Sequence, residues 1–420
     1  MHRLRQVLTI CLTAMALLTW PALNVAKSQT LADPGPQRAL DTSPIRHLLS
    51  VMNTIKEENP DYSAILEGLK RLDPKAASDS FLVLVDRNAH NLRIVAAVDT
   101  LLASPGYQLC FKQFRNINAE WYRRFLYAIP YRAIDGPGGV GPNLFELFQH
   151  QQEVAAWYAG VVSRVDARRC IEIANQWLPP GDYSVPKTYF IYDGNGGAFA
   201  RDGQVCFDLF AELLWDRPQA NRFANLTEIG TEEIEEVLAH EYHHVFANQL
   251  FARRDDEDAS WQRRRKAGIA DAMISEGMAL QCNPPQGLKK EIWEDSATAR
   301  YWVEELNRVF AGVDSGRLSE AQLNDWLSNS FQDTPKHLLV QFLQSRFPSG
   351  NLDSLTAANF VHRPDLEHML GAWMVSHISD GGKNREKVIR LLSQPDSLFG
   401  WYNAAIGTGD STLLVRAKSE

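Results

Sequence analysis

The sequence predicts an α+β protein that is mainly helical, with one small sheet placed ahead of a central charged helix. Three observations lead there. Apolar residues recur at helical spacing over most of the 420 residues. Residues with high β propensity concentrate in one glycine-punctuated stretch, 188–209. The run His240-Glu241-Tyr242-His243-His244 stands inside a long helical pattern that begins with clustered acids.

Between Pro44 and Trp177 the pattern is helical, with segments expected at 45–55, 62–72, 93–102 and 144–165. The run Gly136-Pro137-Gly138-Gly139-Val140-Gly141-Pro142 interrupts it and reads as a loop. Pro179-Pro180-Gly181-Asp182 then marks the entry to the β segment. There Tyr189-Phe190-Ile191-Tyr192 and Val205-Cys206-Phe207 predict a pair of strands. Gly196, Gly197 and Ala198 between them leave space for a peptide backbone to approach, or form an ordinary glycine-rich hairpin. No Gly-Lys-Ser/Thr follows, which excludes a phosphate-binding loop. After Asn283-Pro284-Pro285 the helical pattern returns at 291–310, 320–331, 338–345, 366–378 and 385–392. The expected organisation is a helical region over 29–178, a core with the sheet and two metal-binding helices over 179–284, and a helical region over 285–420.

The central helix carries the chemistry. Thr231 is placed to cap it, and Glu232, Glu233, Glu235 and Glu236 crowd the first turns, where the helix dipole favours negative charge. Ile234, Leu238, Val245 and Gln249 share one stripe; Val237, His240, Glu241, His244 and Asn248 share the next. Side chains four apart lie on one face, so His240 and His244 can grip one zinc ion from the same side. Glu241 would face a metal-bound water and accept its proton. His243 points away from both and supports the site from behind or faces solvent.

A zinc site needs a third protein ligand. In residues 267–282, Ile269, Ala272, Met273, Ala279 and Leu280 follow helical spacing around Glu276. A carboxylate in an apolar stripe needs a partner, either a metal or an arginine, because burying an unpaired charge costs several kcal/mol. Gly277 and Ala279 are small enough to let this helix approach the histidine helix closely.

Two histidines from H-E-x-x-H and a glutamate in Ser275-Glu276-Gly277-Met278-Ala279 resemble the gluzincin type of zinc metallopeptidase. A second large class places another histidine six residues after the second ligand; here that residue is Leu250. The chain resembles more closely a bacterial exported family described as candidate zinc-dependent peptidases, of otherwise unknown function. That likeness runs through Pro105-Gly106-Tyr107, the glycine-rich stretch, H-E-x-x-H, E-G-x-A and a late helix similar to Y-x-L-G-x-x-M. It implies a zincin-like catalytic core, one zinc per chain on His240, His244 and Glu276, and Glu241 as general base. The late helix departs from the pattern, reading His368-Met369-Leu370-Gly371-Ala372-Trp373-Met374 where the family often has a tyrosine. His368, Tyr301 and His362 are the candidates to stabilise the transition state in its place.

Arg3 and Arg5, the 14 apolar-rich residues 7–20 and the small residues around Ala26-Lys27-Ser28 have the layout of a secretory signal peptide cleaved after Ser28. A membrane span needs about 20 apolar residues, so a periplasmic or secreted protein with no span after cleavage is expected. Losing Arg3, Arg5 and Lys27 moves the formal charge from -8 to -11. Such an acidic chain, without aromatic-interleaved basic patches, is unsuited to nucleic acid. The basic run Arg263 to Lys266, preceded by Asp255, Asp256, Glu257 and Asp258, reads as a solvated loop between the two metal-binding helices. Four cysteines, Cys110, Cys170, Cys206 and Cys282, remain after cleavage and allow two disulfides. Cys110 with Cys170 and Cys206 with Cys282 is the favoured pairing.

The expected partner is a peptide or protein substrate. The competing class is an exported helical binding protein whose zinc is structural or catalytically inactive. Structural sites are usually closed by four protein ligands, and no fourth is evident in the sequence.

Overall fold

The computed structural model describes residues 39–69, 71, 74–114, 118–129, 140–192, 197–208, 223, 226, 229–251, 259–285, 290–291, 293–330, 344, 366–407 and 410–416. The expected signal peptide (1–28), His362, Gly196, the acids 255–258 and the helix expected at 338–345, apart from residue 344, lie outside them. The fold is mainly helical with a small four-stranded sheet, as the periodicities predict. Two compact units result, and neither is a continuous stretch of chain. One comprises 31–168 with 185–238; the other includes Arg169–Ser184 and everything from Ala239 onward. The division therefore does not follow the sequential boundaries expected at 178/179 and 284/285.

In the first unit, helix Ser43–Glu58 buries Ile45, Leu48, Val51, Met52 and Ile55 completely, at the three- and four-residue spacing of one helix face. It packs on helix Leu92–Leu102, whose Ile94, Val98 and Leu101 are equally buried. Asn91 caps that second helix by accepting from the amides of Arg93 and Ile94. Three further helices, Pro74–His90, Pro105–Gln113 and Ala119–Ala128, fall within the helical stretch expected between Pro44 and Trp177, though the periodicity does not delimit them individually. The long helix expected over 144–165 is instead Val140–Gln149, Gln151–Val161 and a 3-10 turn, Val162–Arg164. Val140-Gly141-Pro142, expected in a loop, forms its first turn, where a proline needs no amide partner.

The sheet has the order β1-β2-β4-β3, with β1 at Leu40–Asp41, β2 at Lys187–Ile191, β3 at Phe199–Arg201 and β4 at Gln204–Asp208. The predicted strand pair, β2 and β4, runs parallel, with Tyr189 opposite Cys206. A simple hairpin would be antiparallel. What makes the parallel pairing possible is β3, which folds back on β4 through Asp202-Gly203, both at positive φ. Gly106 lets helix Pro105–Gln113 lie against β2: a Cβ there would stand 2.9 Å from that of Tyr189. The hydroxyls of Tyr107 and Tyr122 both donate to the Tyr192 carbonyl, at 2.8 and 2.9 Å, and fix the end of β2.

In the second unit, helix Trp261–Ala279 packs along helix Gly371–Ile378, which in turn packs on helix Leu398–Ile406. Their closest approach is backbone to backbone. A Cβ on Gly277 would fall 2.4 Å from the Gly371 carbonyl oxygen, and one on Gly371 would fall 2.4 Å from that of Met273. Gly277 thus permits a close crossing, but with the late helix rather than with the histidine helix as expected. The basic run Arg263–Lys266 also departs from expectation: it lies in the first turns of a helix capped by Ser260, not in a loop. Arg265 pairs with Glu320 at 3.1 Å and Lys266 with Asp314 at 2.6 Å, so the charges serve helix contacts within this unit.

Cys110, Cys170, Cys206 and Cys282 are buried thiols, and the two expected disulfides are not formed. An even count permits bridging but does not bring sulfurs together; these side chains act as small apolar groups in the core. The Cys206 thiol points at the Gly106 carbonyl, 3.4 Å away, and burial pushes the Cys282 thiol up.

Candidate metal centre

Helix Thr231–Leu250 carries the histidine motif, with Glu232 and Glu233 in its first turn. It is buried more fully than an amphipathic stripe requires. Ile234, Leu238, Ala239 and Tyr242 are inaccessible and Val245 nearly so, whereas Gln249 is exposed. The Nε2 atoms of His240 and His244 face each other at 3.0 Å.

Helix Trp261–Ala279 brings Glu276 to the same point. Its Oε2 lies 3.6 Å from His240 Nε2 and 3.4 Å from His244 Nε2. The three donor atoms fall within 4.8 Å of one another. A tetrahedral ion with bonds of about 2.0–2.1 Å holds its ligand atoms about 3.3 Å apart, so the spacing suits one zinc ion. Glu276 Oε2 is itself buried and has no hydrogen bond of acceptable geometry, although nitrogens surround it. Two imidazole nitrogens and a carboxylate oxygen that turn toward one common centre are what a cation site requires, and this donor set matches zinc.

The electrostatics differ among the three residues. Burial lowers His240 to about 4, which keeps its imidazole neutral with a lone pair available. Burial acts against His244 as well, but the Glu276 carboxylate outweighs it and raises that ring. Glu276 also pays the penalty of burial, yet the positive potential of His244 and His368 holds it well below the usual carboxylate range. Glu241 is buried and close enough to His244 to add to the upward shift.

His368 reaches the site from the third element. Residues Leu366–Leu370 form a π-helical turn, a widened geometry that recurs at functional sites, before the chain tightens into helix Gly371–Ile378. His368 Nε2 stands 3.2 Å from Glu276 Oε2, and its ring meets Trp293 edge to face. It is not one of the three mutually close donors. Tyr301, the other described candidate for this role, packs on Trp302 and has Glu305 and Arg308 as its charged neighbours.

One residue gains a role that sequence reasoning did not give it, and a second takes one of the two it was given. Ser275 Oγ lies 2.9 Å from His244 Nδ1; the only signal was its place directly before Glu276. His243 is fully buried, with Nε2 3.4 Å from the Trp177 carbonyl. It supports the helix from behind, one of the two places open to it. Gly197 and Ala198 lead into β3 and group with the sheet unit, whereas His240, Glu241, His244, Glu276 and His368 all belong to the other.

The fold and the site therefore define a mainly helical α+β protein with a candidate His-His-Glu zinc centre. A family model with the description "Putative zinc dependent peptidase (DUF5700)" matches residues 98–410, and the chain belongs to that family. The match spans both helices of the candidate metal centre, the π turn with His368 and the helix that follows it. No curated protein and no solved structure matches the chain.

Proposed function

We propose that this protein is an exported zinc metallopeptidase of the gluzincin type, carrying one zinc per chain and hydrolysing peptide bonds. The observation that carries the reading is the convergence of His240 Nε2, His244 Nε2 and Glu276 Oε2, with Glu241 beside the first of them.

Each residue has a distinct task. His240, His244 and Glu276 hold the ion. When bound, zinc supplies Lewis acidity, polarising a carbonyl and making water acidic near neutral pH. Glu241 takes a proton from the attacking water and returns it to the leaving amine. His368 donates from Nε2 to the oxygen on which negative charge develops.

Gly196, Gly197 and Ala198 are proposed to accept the substrate backbone. Among the described residues β3 pairs with β4 alone, so the other side of β3 is a sheet edge to which an extended peptide adds by main-chain hydrogen bonds. Export rests on the signal-like residues 1–28, with the periplasm or the external medium as destination.

Elemental analysis of the purified mature protein, followed by cleavage of a peptide library, tests the reading. About one zinc per chain together with cleavage supports it. Zinc with no cleavage under any condition points to the binding-protein class instead, and a protein that takes up no zinc removes the reading altogether.

A further inference from the structure

We infer that Ser275 is the positioning residue that aims His244 at the metal, an inference resting on the zinc reading above. A metal held on His244 Nε2 requires the proton to reside on Nδ1. That N–H needs an acceptor, because the ring is largely buried, with 12% of its side-chain surface exposed. Ser275 Oγ, at 2.9 Å, accepts it.

A serine in mid-helix commonly turns its hydroxyl back to its own carbonyl four residues earlier. Here the hydroxyl meets a ring on another helix. It also directly precedes Glu276 on helix Trp261–Ala279. Two consecutive residues of one helix thus supply a ligand and fix the orientation of a ligand from another. Any rotation of this helix moves both together, so the spacing of His244 and Glu276 is set as a unit. Histidine ligands usually donate their second N–H to a carboxylate, carbonyl or water. A neutral hydroxyl fills that place here, and it holds the ring without adding negative charge to a site that already contains Glu241 and Glu276.

The test is the zinc dissociation constant, measured by competition with a chromophoric chelator, for the wild-type protein, Ser275→Ala and Ser275→Thr. Metal-free melting curves of all three are compared alongside. Ser275→Ala should bind zinc about 10- to 100-fold more weakly, the range seen when such outer partners are lost. Ser275→Thr keeps the hydroxyl and should restore the affinity, with the metal-free melts unchanged. Equal affinity in the wild type and Ser275→Ala would overturn the inference and leave the zinc site standing. A threonine variant as weak as the alanine one would also overturn it, since the hydroxyl would not be the cause. A wild-type protein that binds no zinc overturns the zinc reading and this inference with it.

Discussion

His368 Nε2 lies 3.2 Å from Glu276 Oε2, which joins the late helix to the carboxylate that both motif histidines also face. The contact places a potential donor beside the candidate ligands yet outside the group of three mutually close atoms. A π-helical turn aims the side chain, and the Gly277–Gly371 crossing brings its helix close enough.

His368→Ala should therefore lower kcat by about 100- to 1,000-fold, as loss of a transition-state donor does, with KM little changed. Steady-state kinetics on a peptide cleaved by the wild-type enzyme give the answer. Unchanged turnover would remove His368 from the reaction. Its pairing with Glu276 would then be structural.

Glu241→Gln separates binding from chemistry. The substitution keeps shape and removes the base, so zinc content should match the wild type while hydrolysis falls by at least about 100-fold. Elemental analysis and peptide cleavage on one preparation decide it. Full activity would assign the base elsewhere.

Glu276→Ala should abolish tight zinc binding, because two histidines alone leave the ion underheld. The metal-free variant should also be less stable than the metal-free wild type near neutral pH, because it removes the carboxylate that His244 and His368 face and hold ionised. Zinc retained at wild-type affinity would exclude Glu276 as a ligand.

Gly277→Ala and Gly371→Ala test the helix crossing. Alanine is the better helix former by about 1 kcal/mol. The added Cβ, however, would meet backbone carbonyl oxygen at 2.4 Å in either case, and a backbone atom cannot swing aside. Strain should win, with a net destabilisation of about 1–3 kcal/mol read from urea midpoints. A gain in stability would mean that the two helices separate freely.

His243 provides a pH signature. Burial, with His244 alongside, lowers its ring to about 3, against about 6.5 in an unfolded chain. The unfolded state then takes up a proton that the folded state refuses. This contribution to stability is complete above about pH 6.5 and is lost as pH falls toward 3, at about 1.4 kcal/mol per unit. Metal-free His243→Gln, which keeps a donor for the Trp177 carbonyl, should show a shallower dependence of the urea midpoint between pH 6.5 and 4. Parallel slopes for variant and wild type would show that His243 titrates normally.

The sequence by itself determined the helical character of the chain, the presence of one small sheet, and the likeness of His240, Glu241, His244 and Glu276 to a zinc site. Each of these rests on local pattern: helical periodicity, β propensity in one stretch, or the spacing of a motif. A four-residue step on a helix fixes a shared face wherever that helix is packed, and a carboxylate within an apolar stripe signals a buried partner. Tertiary structure decided what depends on residues far apart in the chain. The order β1-β2-β4-β3, the partner of Gly277, the serine behind His244 and the thiol state of the four cysteines are of that kind. The sequence offered His368 as one of three candidates; the π turn that carries it to Glu276 distinguishes it from Tyr301. Periodicity states which side of a helix is buried, but not which neighbour buries it. That is settled by packing, where a glycine's missing Cβ or one hydroxyl's reach selects between contacts that look alike along the chain.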